Sequence, residues 1–287
     1  MNAQPVGYRA SKFVPRHLIL YFVLALGLNW ILGALIFFRV YTPPETDSLL
    51  QPTLASILFI ILMVLSNISP TLAGFVTAGI TEGKAGVKEL WGRFWTRHLS
   101  LKWLLAAVLL IPAIRLVANL IYRGLDGQDY PWFHYGDVMA GVTAFLSAFV
   151  TTGMTEEFGW RGYALPRLQA KWNALTSTLI LGVLWASWHV TGLVTPGAAL
   201  YGRDLVEFVP WVIITAIYLT WIFNNTNGNV LACVVLHAMI NTAVVWCCPD
   251  PGLRLIWLYG SYFLAAVLIV VIFGPKNMVR QQTEEGT

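Results

Sequence analysis

Eight apolar runs, each close to the length a helix needs to cross a bilayer, leave this chain few folds to choose from. They are Leu18–Phe38, Leu54–Ile80, Trp103–Ile121, Val138–Met154, Leu175–Val194, Phe208–Phe223, Val230–Cys247 and Leu255–Phe273. A spanning helix takes about 20 apolar residues and satisfies its own backbone hydrogen bonds where no water can. Hydrophobic residues make up 57% of the chain and charged residues 11%, where a soluble domain carries about 25% charged. The predicted fold class is all-α: a polytopic integral membrane helical bundle of about eight transmembrane helices, forming a single domain over residues 1–287. In a prokaryotic host its place is the plasma membrane. The fourth run is short and leads straight into Glu156, so its helix is expected to continue to about Tyr163.

Charge placement supports an even number of crossings. With the N-terminus cytoplasmic, one side collects thirteen Lys and Arg, from Arg9, Lys12 and Arg16 through Arg161, Arg167 and Lys171 to Lys276 and Arg280. The other side holds four outside the runs: Arg39, Arg123, Arg203 and Arg254. That bias is the positive-inside pattern, and it gives an N-in, C-in topology. The basic pI of about 9.0 therefore reports membrane orientation, and no nucleic-acid partner is expected. The first run is longer than a signal-peptide core and no small-x-small site follows it, so it reads as a retained span. Cys233, Cys247 and Cys248 have neither metal-site spacing nor a disulfide framework; a bridge between the adjacent pair would be strained.

The segment Glu82–Leu101 interleaves Lys84, Lys88, Arg93 and Arg97 with Leu90, Trp91, Phe94 and Trp95. That mixture suits an interfacial helix anchored on the membrane surface, with substrate docking as the alternative. Asn224–Asn229 is a short polar turn that keeps the sixth and seventh runs antiparallel neighbours.

Against this apolar background five polar groups stand out: Glu156, Glu157, His189, His237 and Asn241. An ionisable side chain deep in a membrane costs roughly 2.5–3.5 kcal/mol on insertion scales, so such groups mark pathways or reaction sites. Glu157 and Arg161 are four apart with the acid first, the favourable order for a helical ion pair. Glu156 projects about 100° away and lacks a local partner, in low-dielectric surroundings that suit a base. Both acids are also compatible with a solvated helix end. His189 follows Trp185 by one turn on the same face, which also suits a packed residue bonded to a backbone carbonyl. His237 and Asn241 share a face of the seventh run; the alternative there is an interhelical hydrogen-bond pair. Taken together, a carboxylate with an imidazole can polarise water, and a second imidazole with an amide can donate to an oxyanion.

Three motifs carry a resemblance. EEFGWR (Glu156–Arg161), WASWH (Trp185–His189) and HAMIN (His237–Asn241) resemble the EExxxR, FxxxH and HxxxN/D motifs of the CPBP intramembrane proteases. This is the CAAX protease and bacteriocin-processing family, related to the type II CAAX prenyl endopeptidase. The motif-bearing core spans about residues 138–247. One position departs: Trp185 stands where the family has Phe, which is expected to keep a packing role and reshape the cavity wall. The resemblance implies an intramembrane endopeptidase in which Glu156 activates water with help from His189. His237 and Asn241 would stabilise the oxyanion, and Glu157 and Arg161 would hold the first motif in place. A divalent metal such as zinc, if bound, would take Glu156, His189 and His237; a glutamate–histidine base works without one, and metal-free chemistry is the reading adopted. The partners implied are membrane lipid and a peptide or lipidated-protein substrate: a prenylated CAAX C-terminus, a leader peptide or a transmembrane segment. The sequence carries no signal of oligomeric state. The alternative function is a non-catalytic membrane scaffold or immunity protein of the same fold, or a transporter.

Overall fold

The computed structural model of the chain describes residues 12–38, 54–95, 99–126, 138–196, 198–246 and 253–280. Among these residues the helices are joined by turns and short irregular segments, with no strand. Six helices are long and apolar enough to cross a membrane: α1 (Pro15–Phe37), α4 (Leu101–Asp126), α5 (Val138–Gln169), α6 (Ala174–Val194), α7 (Leu205–Asn225) and α9 (Leu253–Phe273). A bent pair, α2 (Leu54–Asn67) and α3 (Ser69–Gly92), passes the same test jointly. The shorter apolar helix α8 (Val230–Trp246) completes the bundle. The protein is an integral, multi-pass membrane protein. Cys247, Cys248 and Arg97 lie outside the described residues.

The second run differs from the straight span expected of it. It bends by 61° between α2 and α3, because Pro70 cannot donate a backbone hydrogen bond and instead starts a new helix at its first turn. Polar groups from four helices meet at the break. Asn29 Nδ2 donates to the Trp188 carbonyl at 2.9 Å, while Ser66 and Thr191 hydroxyls donate to Asn29 Oδ1 at 3.0 and 2.7 Å. The Trp188 indole N–H reaches Ser69 Oγ at 2.9 Å. In a bilayer such bonds hold helices that the hydrophobic effect cannot pull together. Asn29→Leu is expected to cost about 1–2 kcal/mol, read as a lower midpoint in detergent unfolding.

α3 also runs further than its apolar stretch. It kinks at Gly83, whose backbone (φ 66°, ψ −156°) suits only glycine, and continues to Gly92. The basic, aromatic segment therefore has a second face, packed inside the protein. Leu90 and Phe94 are buried, and Trp91 and Phe94 stack on Phe158 of α5 with centroids 5.7 and 5.4 Å away. Trp91 and Trp95 remain substantially exposed. Just before the kink, Glu82 pairs with Arg167, whose guanidinium also caps the Tyr163 carbonyl at 2.8 Å, tying the end of α5 to α3.

α5 is the helix on which the site is built. It continues through the glutamates as expected, and past Tyr163 to Gln169. It is not a regular α-helix: π turns at Phe149–Gly153 and Phe158–Ala164 flank a single α turn, Met154–Glu157. Such π turns are rare and gather at functional sites, since they re-aim side chains within a continuous helix. Glycines let neighbours approach this irregular stretch. A Cβ on Gly159 would lie 2.2 Å from the Pro70 carbonyl oxygen of α3, and one on Gly153 would lie 2.8 Å from Val234 of α8. Close approach at small residues is how membrane helices gain packing energy.

The other connections are tight. The polar turn after α7 uses positive φ at Asn227 and Gly228, and the Gly228 N–H returns to the Phe223 carbonyl at 2.9 Å. Asn229 then caps α8 by accepting from the Ala232 N–H at 2.9 Å. Asn173 caps α6 in the same way, 2.7 Å from the Thr176 N–H. The chain after α9 folds back on these turns, with Asn225 Nδ2 donating to the Met278 carbonyl and the Ala174 N–H to that of Lys276.

Candidate active site

α5, α6 and α8 each contribute one motif, and their polar groups gather around a single ring, the indole of Trp185. On α5 the two acids diverge. Glu157 Oε1 accepts from Arg161 Nη1 at 3.0 Å, and neither side chain has any exposure. This is the expected pair, but it has a third member. His237 Nδ1 of α8 lies 2.7 Å from the same carboxylate oxygen, so Glu157 links the first motif to the third. Burying such a group is costly, and the mutual attraction of its members offsets that cost only when the geometry is good.

Glu156 is buried too, at 2% exposure, and it does have a partner. Its Oε2 accepts from Trp185 Nε1 at 2.6 Å. The sequence reading treated Trp185 as an aromatic wall. A buried indole N–H needs an acceptor, and that was the available signal that Trp185 does more than pack. The same ring lies 4.4 Å from the Arg161 guanidinium carbon, in cation–π geometry. Its edge contacts reach both imidazoles, with centroids 5.5 Å from His189 and 5.4 Å from His237.

The tautomers follow from the hydrogen bonds. His189 Nδ1 is 2.8 Å from the Trp185 carbonyl oxygen; a carbonyl only accepts, so Nδ1 carries the proton and Nε2 of the neutral ring holds a lone pair. That is the form a base or a water-orienting acceptor requires. His237 Nδ1 likewise donates to Glu157, leaving Nε2 for other work. Asn241 lies one turn after His237 and donates from Nδ2 to Thr152 Oγ1 at 2.9 Å. Thr152 spends its own proton on the Ala148 carbonyl at 2.7 Å, so it can only accept from Asn241, and the amide orientation is set. Thr152 stands four residues before Glu156 on the same helix, a supporting position that the three motifs do not mark.

All six residues singled out in the sequence therefore belong to one cluster. The amide of Asn241 joins it through α5, and His189 through Trp185. The fit to a metal is poor: among the described residues no three His, Cys, Asp or Glu side chains come together in a way that could hold a metal ion.

Comparison with known proteins finds similarity over the region that holds the three motifs. Residues 138–243, which hold all three motifs, match the family model of the type II CAAX prenyl endopeptidase Rce1-like proteins. The chain is also 23% identical over 184 residues to CAAX prenyl protease 2 of Methanococcus maripaludis, an alignment covering 59% of this chain and 68% of that protein. With its three motifs meeting inside a helical membrane bundle, the chain is similar to the CAAX prenyl endopeptidases over the region that holds those motifs.

Proposed function

We propose that this protein is an endopeptidase that hydrolyses a peptide bond of a membrane-associated substrate with a water activated by Glu156 and His189. The observation that carries the reading is the arrangement around Trp185: its indole N–H holds one oxygen of Glu156, and its backbone carbonyl holds Nδ1 of the His189 ring that packs against it. Water held between the free Glu156 oxygen and His189 Nε2 attacks the carbonyl carbon and yields its proton to Glu156. The oxyanion that forms takes hydrogen bonds from Asn241 Nδ2 and from His237 Nε2. Donation from Nε2 requires both His237 nitrogens to carry protons, with Glu157 as the counter-charge. When the tetrahedral species collapses the C–N bond breaks, and Glu156 returns its proton to the leaving amine. Glu157 and Arg161 touch no reacting atom in this scheme; they hold His237 and the first motif. No step passes through a metal, which accords with the donor arrangement described above.

The substrate class favoured is a prenylated CAAX C-terminus, on the strength of the similarity to CAAX prenyl protease 2. The positive-inside pattern expected from the sequence supports this reading, because it would turn the glutamate end of the fourth run to the cytoplasmic side, from which such a substrate arrives with its lipid in the bilayer. The test is cleavage of a farnesylated CAAX peptide by detergent-purified protein, with and without a strong zinc chelator. Cleavage that survives chelation is the expected result; loss restored by added zinc would overturn the metal-free base. No cleavage of this peptide, a leader peptide or a transmembrane segment would favour the non-catalytic scaffold.

Asn241→Ala should lower kcat about 100-fold or more with little change in KM, the signature of a lost oxyanion donor. A rise in KM at unchanged kcat would assign Asn241 to substrate binding instead.

A further inference from the structure

The geometry points to Trp185 as a positioning residue for the reaction: its indole N–H, a donor that the phenylalanine usual at this place in the family cannot supply, fixes the reacting carboxylate of Glu156. The inference rests on the proposed role of Glu156 as base and deepens it.

Three observations converge on this one side chain. The indole nitrogen lies 2.6 Å from Glu156 Oε2, short for a nitrogen donor, and bonds to charged acceptors are the short ones. The ring is 2% exposed, so no water competes for that bond. The ring face lies against Arg161 and its edges against both imidazoles, so the indole cannot turn away from Glu156 without disturbing all three. Its own backbone carbonyl sets the His189 tautomer. A carboxylate on a two-carbon stem has rotamer freedom; pinning one oxygen narrows the positions open to the other, which the proposed mechanism uses as the base. A base misplaced by a fraction of its reach loses rate without losing substrate.

Two replacements separate the donor from the ring. Trp185→Phe keeps an aromatic face for Arg161 and removes the N–H, along with some volume. Benzothienylalanine at the same position, introduced as a non-natural residue, keeps the bicyclic shape and removes only the donor. Both should lower kcat by about 10- to 100-fold, the range for a lost hydrogen bond to a charged group. KM of the benzothienylalanine protein should match wild type. Unchanged kcat in that protein would overturn the proposal. So would a raised KM at wild-type kcat, which would make Trp185 a pocket wall.

A second readout does not depend on turnover. In protein labelled with ¹⁵N at its thirteen indole nitrogens, the Trp185 resonance is the one lost in Trp185→Phe. It should lie downfield and shift in Glu156→Gln. A Trp185 resonance that does not move would overturn the inference whatever the activity. A resonance that moves, in protein that cleaves nothing, would uphold the contact and sink the peptidase reading instead.

Discussion

Glutamine in place of Glu156 is expected to lower turnover by about 10²- to 10⁴-fold, the range for a lost general base, while the fold survives. The replacement has nearly the same volume, and its amide oxygen still accepts from the Trp185 N–H that now reaches Oε2 at 2.6 Å. What disappears is the ability to take a proton from water. Stability should hold or rise, because the change removes a charge from a site only 2% exposed without orphaning an ion-pair partner. Steady-state kinetics alongside a thermal melt check both halves. A variant that no longer melts cooperatively would make Glu156 a structural group, and one with near wild-type kcat would remove it from the chemistry.

The opposite pattern is expected at Arg161. Arg161→Met leaves Glu157 ionised with no exposure, beside a single remaining partner, His237. Breaking a buried ion pair from one side costs about 3–5 kcal/mol, a large part of the 5–15 kcal/mol that holds a typical domain together. Unfolding in mixed detergent micelles should show the loss directly. Adding Glu157→Gln to Arg161→Met removes the stranded charge and should recover much of the stability. It should not recover activity, because His237 then loses its counter-charge. An Arg161→Met protein as stable as wild type would contradict the role given to the pair.

The two variants divide the EExxxR motif in a way that spacing alone only suggests. Adjacent glutamates on a helix diverge, so unequal environments were readable from the sequence, and the Glu157–Arg161 pair followed from their separation. The third member was not readable, because His237 comes from another helix and only packing brings it to Glu157. The π turns on either side of the glutamates escaped for a related reason. A hydrogen bond to the fifth residue leaves no mark in residue type and is set by what packs against α5.

Other features did leave marks. Asn29 is an amide inside the first apolar run, and the cost argument that singled out His237 and Asn241 applies to it equally; it proves to hold α1 against the α2–α3 break. Pro70 lies inside the second run, where hydropathy alone is blind to a missing N–H. Trp185 was read by shape, as an aromatic replacing an aromatic, when its one polar atom was the informative difference. Hydropathy thus located the helices, while breaks and contacts were written in single polar or backbone-altering residues within them.

The most direct test of the account sets wild type and Glu156→Gln side by side on a farnesylated CAAX peptide and identifies the products by mass spectrometry. Wild type is expected to release the C-terminal tripeptide and leave a farnesylated cysteine with a new carboxylate, and the variant to form neither above background. Equal product from both proteins would show that Glu156 is not the base, and the mechanism built on it would fall.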